Sequence, residues 1–358
     1  MASERSGLCD ELLSLLYWTM LAACTVGPGT VVTCARAGAE FELHLVWVLI
    51  FASLLAYTLQ EGTARLTIHS GLSLGQCLRA KYSQTTKIYN TAIICWVVSI
   101  SVTLGNTLYE CNNWAGGIDA VMSMPGASDI QDGPALTGLR VGCCLAYAVI
   151  VLALLYTDKT DALGIFLGFI MMTMIVLFII VVCLLDIDWN KFAWGLLPNY
   201  PEKTEHSAEP ADIIVSLVGT TSIGFNLFLG GAMAEGKKLR SAQRGIAFST
   251  LSAFIVSVLI LIVGAGYHAA ENVPDSFSTS DTSNTTGEAG AEGGRKRFSI
   301  TDLASFLLQY VKEAGVAVYS VGFIAAALSS MLTVPLGAAL TADSVFSDRC
   351  VVDIELLI

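Results

Sequence analysis

The residues able to do chemistry are few, and most are neutral oxygens beside helix breakers. The first apolar stretch holds Gly27-Pro28-Gly29-Thr30, and a later one holds Gly219-Thr220-Thr221-Ser222-Ile223-Gly224-Phe225-Asn226. Hydroxyls, an amide and freed backbone groups bind small ions through their dipoles, without acid–base or nucleophilic chemistry. Arg36 is the charged residue nearest the first break. Ten cysteines and four histidines (His44, His69, His206, His268) form no metal-ligand spacing, and no CxxC pair exists. Cys24, Cys34, Cys95, Cys143, Cys144 and Cys183 lie in apolar runs, where cysteine behaves as a small hydrophobe. HExxH, G-x-S-x-G and GxxxxGK[ST] are missing, so no enzyme constellation and no cofactor is expected.

The elements that must position these residues are membrane helices. Of 358 residues, 54% are hydrophobic and 14% charged, well below the quarter charged in soluble domains. Apolar runs long enough to cross ~30 Å of hydrocarbon recur. The pattern predicts eight spans, about 11–37, 43–64, 87–110, 139–156, 162–185, 211–234, 244–267 and 315–342. All belong to one transmembrane domain, 1–358. The N-terminus, MASERSGLCD, is short and polar, so the first span reads as a helix and not a removed signal. A formal net charge of −11 argues against nucleic acid as a partner. The expected partners are the lipid bilayer and a small inorganic ion.

Charge asymmetry predicts the orientation. Arg65, Arg79, Lys81 and Lys87 follow the second span, and Lys237, Lys238, Arg240 and Arg244 follow the sixth. The stretch 115–138 holds Asp119, Asp129 and Asp132 and no Lys or Arg. A cytoplasmic N-terminus puts both basic segments inside and the acidic one outside. The same topology makes 269–300 an extracytoplasmic flexible loop carrying the sequon Asn284-Thr285-Thr286. Plasma and internal membranes are not distinguished.

Pro28 and its flanking glycines cannot continue a helix cheaply, and freed backbone groups in hydrocarbon need protein or water beside them. Alone, the first break reads equally as a proline kink and the second as small residues for helix packing. Two breaks five spans apart, however, mark an inverted-repeat transporter with its site at the midplane. The substrate-binding residues expected from this are Gly27, Pro28, Gly29, Thr30, Thr220, Thr221, Ser222, Ile223, Gly224 and Asn226. Asn106, Glu110, Asn112 and Asn113, at the end of the third span, read better as outer-vestibule or interface residues than as part of the site. Glu61 and Arg65 read as a helix-end ion pair.

VGPGT followed by AGAEFELHLVWVLIFASLLAYTLQEGTARLTIHSGLSLGQCLRAKY resembles the first two helices of the Nramp (natural resistance-associated macrophage protein) family. GTTSIGFNLFLGGAM is similar to its sixth helix and GFIAAALSSMLTVPLGAALTADSVF to its eighth. The resemblance implies an all-α, LeuT-type inverted-repeat fold with helices 1 and 6 broken. A first repeat would cover about 11–185 and a partial second one about 211–342. It also implies alternating access and a divalent manganese- or iron-like substrate, with the coupling ion undetermined. Two further helices expected of the fold have no counterpart before the chain ends at SDRCVVDIELLI.

The departures fall at the site. Where the family places the metal-binding Asp, Asn and Met, this chain has Gly27, Thr30 and Ile223; the family's Pro and His become Gly224 and Phe225, and Asn226 is kept. Its acidic third-helix positions align with Ile100 and Thr107. Without a carboxylate, high manganese affinity is not expected. Two alternatives follow. A small, bicarbonate-like anion could use the helix N-termini uncovered by the lost Asp. Arg36, about 9 Å further along the helix, would then assist it, although Arg36 reads equally as snorkelling beside Glu40. The other alternative is a non-transporting, receptor-like relic.

Overall fold

The computed structural model describes residues 2–83, 85–88, 91–124, 133–156, 160–185, 187–202, 209–271 and 300–346. Among them, twelve helices alternate with short turns, and the β-structure is one small antiparallel hairpin. Seven helices are long and apolar enough to span a membrane, and a bent pair makes an eighth span.

The bent pair is α1 (Ala2–Thr25) and α2 (Pro28–Phe41), which meet at 66°. Gly27 is the N-cap of α2 and Pro28 its first residue, where a missing N–H costs nothing because it has no intrahelical acceptor. The second predicted break separates α9 (Pro210–Thr221) from α10 (Phe225–Ala234). It is gentler, and Pro210–Ala234 still runs as one span.

The second, fourth, fifth and seventh spans are α3 (Val46–Ser70), α6 (Pro134–Leu155), α7 (Thr160–Cys183) and α11 (Leu239–Glu271). α12 (Ile300–Phe346) contains the eighth, Ser320–Phe346, and has Pro335 inside it. The third span differs from expectation. Lys87–Ile88 pairs with Thr91–Ala92 as the hairpin β1–β2, so the helix α5 starts at Ile93 and continues to Met122. It runs past residue 110 because Asn113, Gly116, Gly117 and Ala120 supply a buried face at helical spacing. Asp119 therefore lies in a helix and not in a loop, while Asp129, Asp132 and residues 272–299, with the sequon at Asn284, fall outside the described residues.

Burial sorts the helices. The most apolar stretch of α11 is 67% buried, that of α6 only 11%. α11 is thus the central post, and α6 presents Leu145, Val149 and Leu152 outwards, as a lipid-facing helix must. α2 crosses α11 at backbone contact: a β-carbon on Gly38 would strike the Leu261 carbonyl, and one on Gly264 the Ala35 carbonyl. Trp18 of α1 is buried and packs on Gly245 of α11.

Two short helices lie between spans. α4 (Leu74–Lys81) opens with a reciprocal capping box between Ser73 and Gln76. α8 (Trp189–Gly195) is capped by Asp188 and tied to the α2–α3 turn by Lys191 Nζ on Glu42 Oε2 at 2.6 Å. The Glu42 carboxylate holds the Lys191 ammonium above its ordinary range. The basic segments gather at one end of the bundle. Gln243 Nε2 of α11 donates to Glu61 Oε1 of α3 at 2.7 Å, Arg65 Nε donates to the same oxygen at 3.1 Å, and Arg79 of α4 reaches the Phe346 carbonyl.

Candidate functional site

The break between α1 and α2 is closed by its own hydroxyls. Thr30 Oγ1 donates across it to the Thr25 carbonyl at 2.6 Å, satisfying an end group of α1. Thr25 Oγ1 donates to the Leu21 carbonyl at 2.9 Å. Asn226, fully buried at the start of α10, donates Nδ2 to Thr25 Oγ1 at 2.9 Å and so joins the two breaks. Its Oδ1 is buried without a hydrogen-bond partner among the described residues.

A cavity of about 10 Å³, room for one water-sized occupant, lies against the first break. The first span lines it with Thr25, Gly27, Gly29 and Thr30; α5 adds Tyr109 and Asn113, the second break Ile223, and α12 Ser330. Ser330 Oγ and Asn113 Oδ1 stand 2.6 and 3.1 Å from where a β-carbon at position 27 would be. Two neutral oxygens thus crowd the place where a carboxylate side chain would have to start. Asn112 packs similarly over Gly29.

Of the predicted site residues, Gly27, Gly29, Thr30 and Ile223 line this cavity, with Pro28 between them at the start of α2. Asn226 reaches it through Thr25. Thr221 and Thr220 donate to the Leu217 carbonyl at 2.8 and 3.2 Å. Ser222 donates to the Ala52 carbonyl of α3 at 3.2 Å, which anchors the second break, and Gly224 faces open space. These four are outside the cavity. So is Arg36, whose Nε is paired with Glu40 Oε1 at 2.7 Å one turn along α2. Its charge is balanced locally, and the anion alternative loses the cation it relied on.

Sequence reasoning favoured an outer-vestibule or interface position for Asn106, Glu110, Asn112 and Asn113, and the structure sets Asn113 at the cavity instead. Asn113 is 2% exposed and lines the cavity, and its Nδ2 donates to Glu110 Oε2 at 3.3 Å. Glu110 also accepts from Trp114 Nε1 at 2.8 Å, so a carboxylate sits one hydrogen bond from the cavity wall. Tyr109 and Ser330 were missed. Tyr109 donates its hydroxyl to the Gly219 carbonyl at 3.0 Å, latching α5 to the second broken span. The paired amides Asn112-Asn113 and the Ser329-Ser330 pair were the available signals. Among the described residues, no group of three or more His, Cys, Asp or Glu side chains could hold a metal ion.

Broken spans meeting at an oxygen-lined cavity in a helical bundle define a secondary-transporter architecture. Residues 19–352 match the natural resistance-associated macrophage protein-like (Nramp) family, and the chain belongs to that family. It is 27% identical over 283 residues to the divalent metal cation transporter MntH of Lacticaseibacillus casei, covering 70% of this chain and 55% of that protein. It is 24% identical over 289 residues to MntH of Staphylococcus aureus, covering 76% and 59%. The chain therefore spans little more than half the length of these relatives. The fold matches crystal structures of a manganese transporter from Eremococcus coleocola, with a TM-score of 0.70 at 20% identity, over 95% of this chain and 66% of that one.

Proposed function

We propose that this chain forms the ion-binding part of a membrane transporter for a divalent metal cation, entered through the cavity at the first break. The observation that carries the reading is the convergence of neutral oxygen donors there. Thr30, Asn113 and Ser330 surround a helix break in a family whose matched relatives are named for divalent metal transport. The C-terminal end of α1 adds negative partial charge. With no carboxylate in the wall, the ion would be held by dipoles alone and bind weakly. The N-terminus is assigned to the cytoplasmic side, which is supported by the gathering of Arg65, Arg79 and Gln243, next to Arg244, at one end.

The test is flux in proteoliposomes holding the full-length protein. Manganese uptake that saturates, at lower affinity than a carboxylate-bearing relative, supports the reading. Absence of saturable manganese uptake by correctly folded protein overturns it, and retained partner binding in that case would favour a receptor role.

A further inference from the structure

The segment after α7 presents large side chains to the outside. Trp189 and Trp194 of α8 are 64% and 70% exposed, and Leu196, Leu197 and Tyr200 just beyond them are exposed as well. They lie between spans, after α7 ends at Cys183 and before α9 begins at Pro210, so facing hydrocarbon along a span does not account for them. The segment is nonetheless firmly held. Phe192 stacks on Trp189 with ring centres 6.0 Å apart and packs on the core. Gly195 is buried so close to the Leu43 carbonyl that a β-carbon there would strike it. Trp47 Nε1 donates to the Asn199 carbonyl at 3.0 Å, and Lys191 is paired with Glu42. These contacts fix the backbone to the α2–α3 turn and leave the two indoles turned outward.

Depth along the bundle identifies the partner. α3 starts beside this turn at Val46, and Arg65 lies about 29 Å further along its axis at 1.5 Å per residue. That is one thickness of hydrocarbon, ~30 Å. Arg65 and the other basic residues mark one membrane surface, so α8 lies at the opposite one. Ile180 and Leu184, at the end of α7, are exposed too, and the lipid-facing surface therefore runs on into the segment. Tryptophan and tyrosine join an apolar ring to one polar group and collect where hydrocarbon meets water. Asp188, Asn190 and Lys191, all exposed, supply the wet side. We propose that residues 188–200 form a strap seated in the headgroup–acyl boundary of the bilayer, a lipid-binding surface that pins the far end of α2 to one membrane face. The proposal does not depend on which ion crosses the membrane.

The experiment is tryptophan fluorescence of the full-length protein in liposomes at one protein per vesicle. The lipids are unbrominated, brominated near the glycerol end of their acyl chains, or brominated near the methyl end. The signal lost on combining Trp189→Phe with Trp194→Phe isolates these two indoles from the other tryptophans, and phenylalanine keeps the ring that stacks on Phe192. The expected result is loss of most of that component with the shallow bromines and less with the deep ones, since an interfacial element sits about 5–10 Å into the boundary. A component indifferent to bromine overturns the proposal: quenched by aqueous iodide, the indoles face water, and shielded from both, they are covered by protein. Stronger quenching by the deep bromines overturns it too. Trp194→Phe alone gives the same comparison if the double variant fails to fold.

Discussion

Asn226 and Thr25 are 201 residues apart and joined by a 2.9 Å hydrogen bond, Nδ2 to Oγ1, at the meeting point of the two broken spans. Both residues are buried, and Thr25 borders the cavity at the first break. Asn226→Ala removes the donor and opens space beside the break. The expected loss is about 1–3 kcal/mol of stability, the cost of stranding a buried polar partner. Manganese flux should fall with it. Thermal unfolding and proteoliposome uptake on the same preparation check both effects.

Gly27 is matched to Ser330 and Asn113 rather than merely small. Gly27→Asp alone meets Ser330 Oγ and should fail to raise manganese affinity. Adding Ser330→Ala clears the nearest atom, so the double variant should bind manganese at least about tenfold more tightly than either single one, with non-additive coupling. Calorimetric titration of the four proteins reads this directly.

The contrast between these residues shows what was legible in the sequence. The eight spans and both breaks were readable because apolar length and Gly-Pro chemistry are local properties. Asn226 was readable through its place in the second break. Asn113 and Ser330 were not, since each sits in an unbroken helix and gains its role only from the neighbour it packs against. The third span was read too short for the same reason: Asn112, Asn113 and Asp119 look like a helix end until their packing partners are known. Arg36 drew attention as a lone charge near a break, and its partner Glu40 four residues on was the better guide.

The crossing of α2 with α11 depends on two glycines whose β-carbons would each strike a carbonyl of the opposite helix. Gly264→Ala should push the helices apart and cost about 1–3 kcal/mol, because backbone cannot rotate out of the way as a side chain can. Gly219→Ala, in open space, is the control and should cost much less. Unfolding temperatures of the two variants in the same detergent compare them.

Arg36 separates the cation reading from the anion one. Its guanidinium is held by Glu40 and does not line the cavity at the break, so substrate should not sense its charge strongly. Arg36→Gln removes the charge while leaving the stem of the side chain to pack. Manganese flux should then stay within about threefold of the parent, the scale of a single partly exposed ion pair. An anion site built on this residue behaves differently: bicarbonate flux in the parent would be substantial and would collapse in the variant. Parallel uptake of manganese and bicarbonate by the two proteins distinguishes these outcomes, and the geometry of the pair predicts the first pattern.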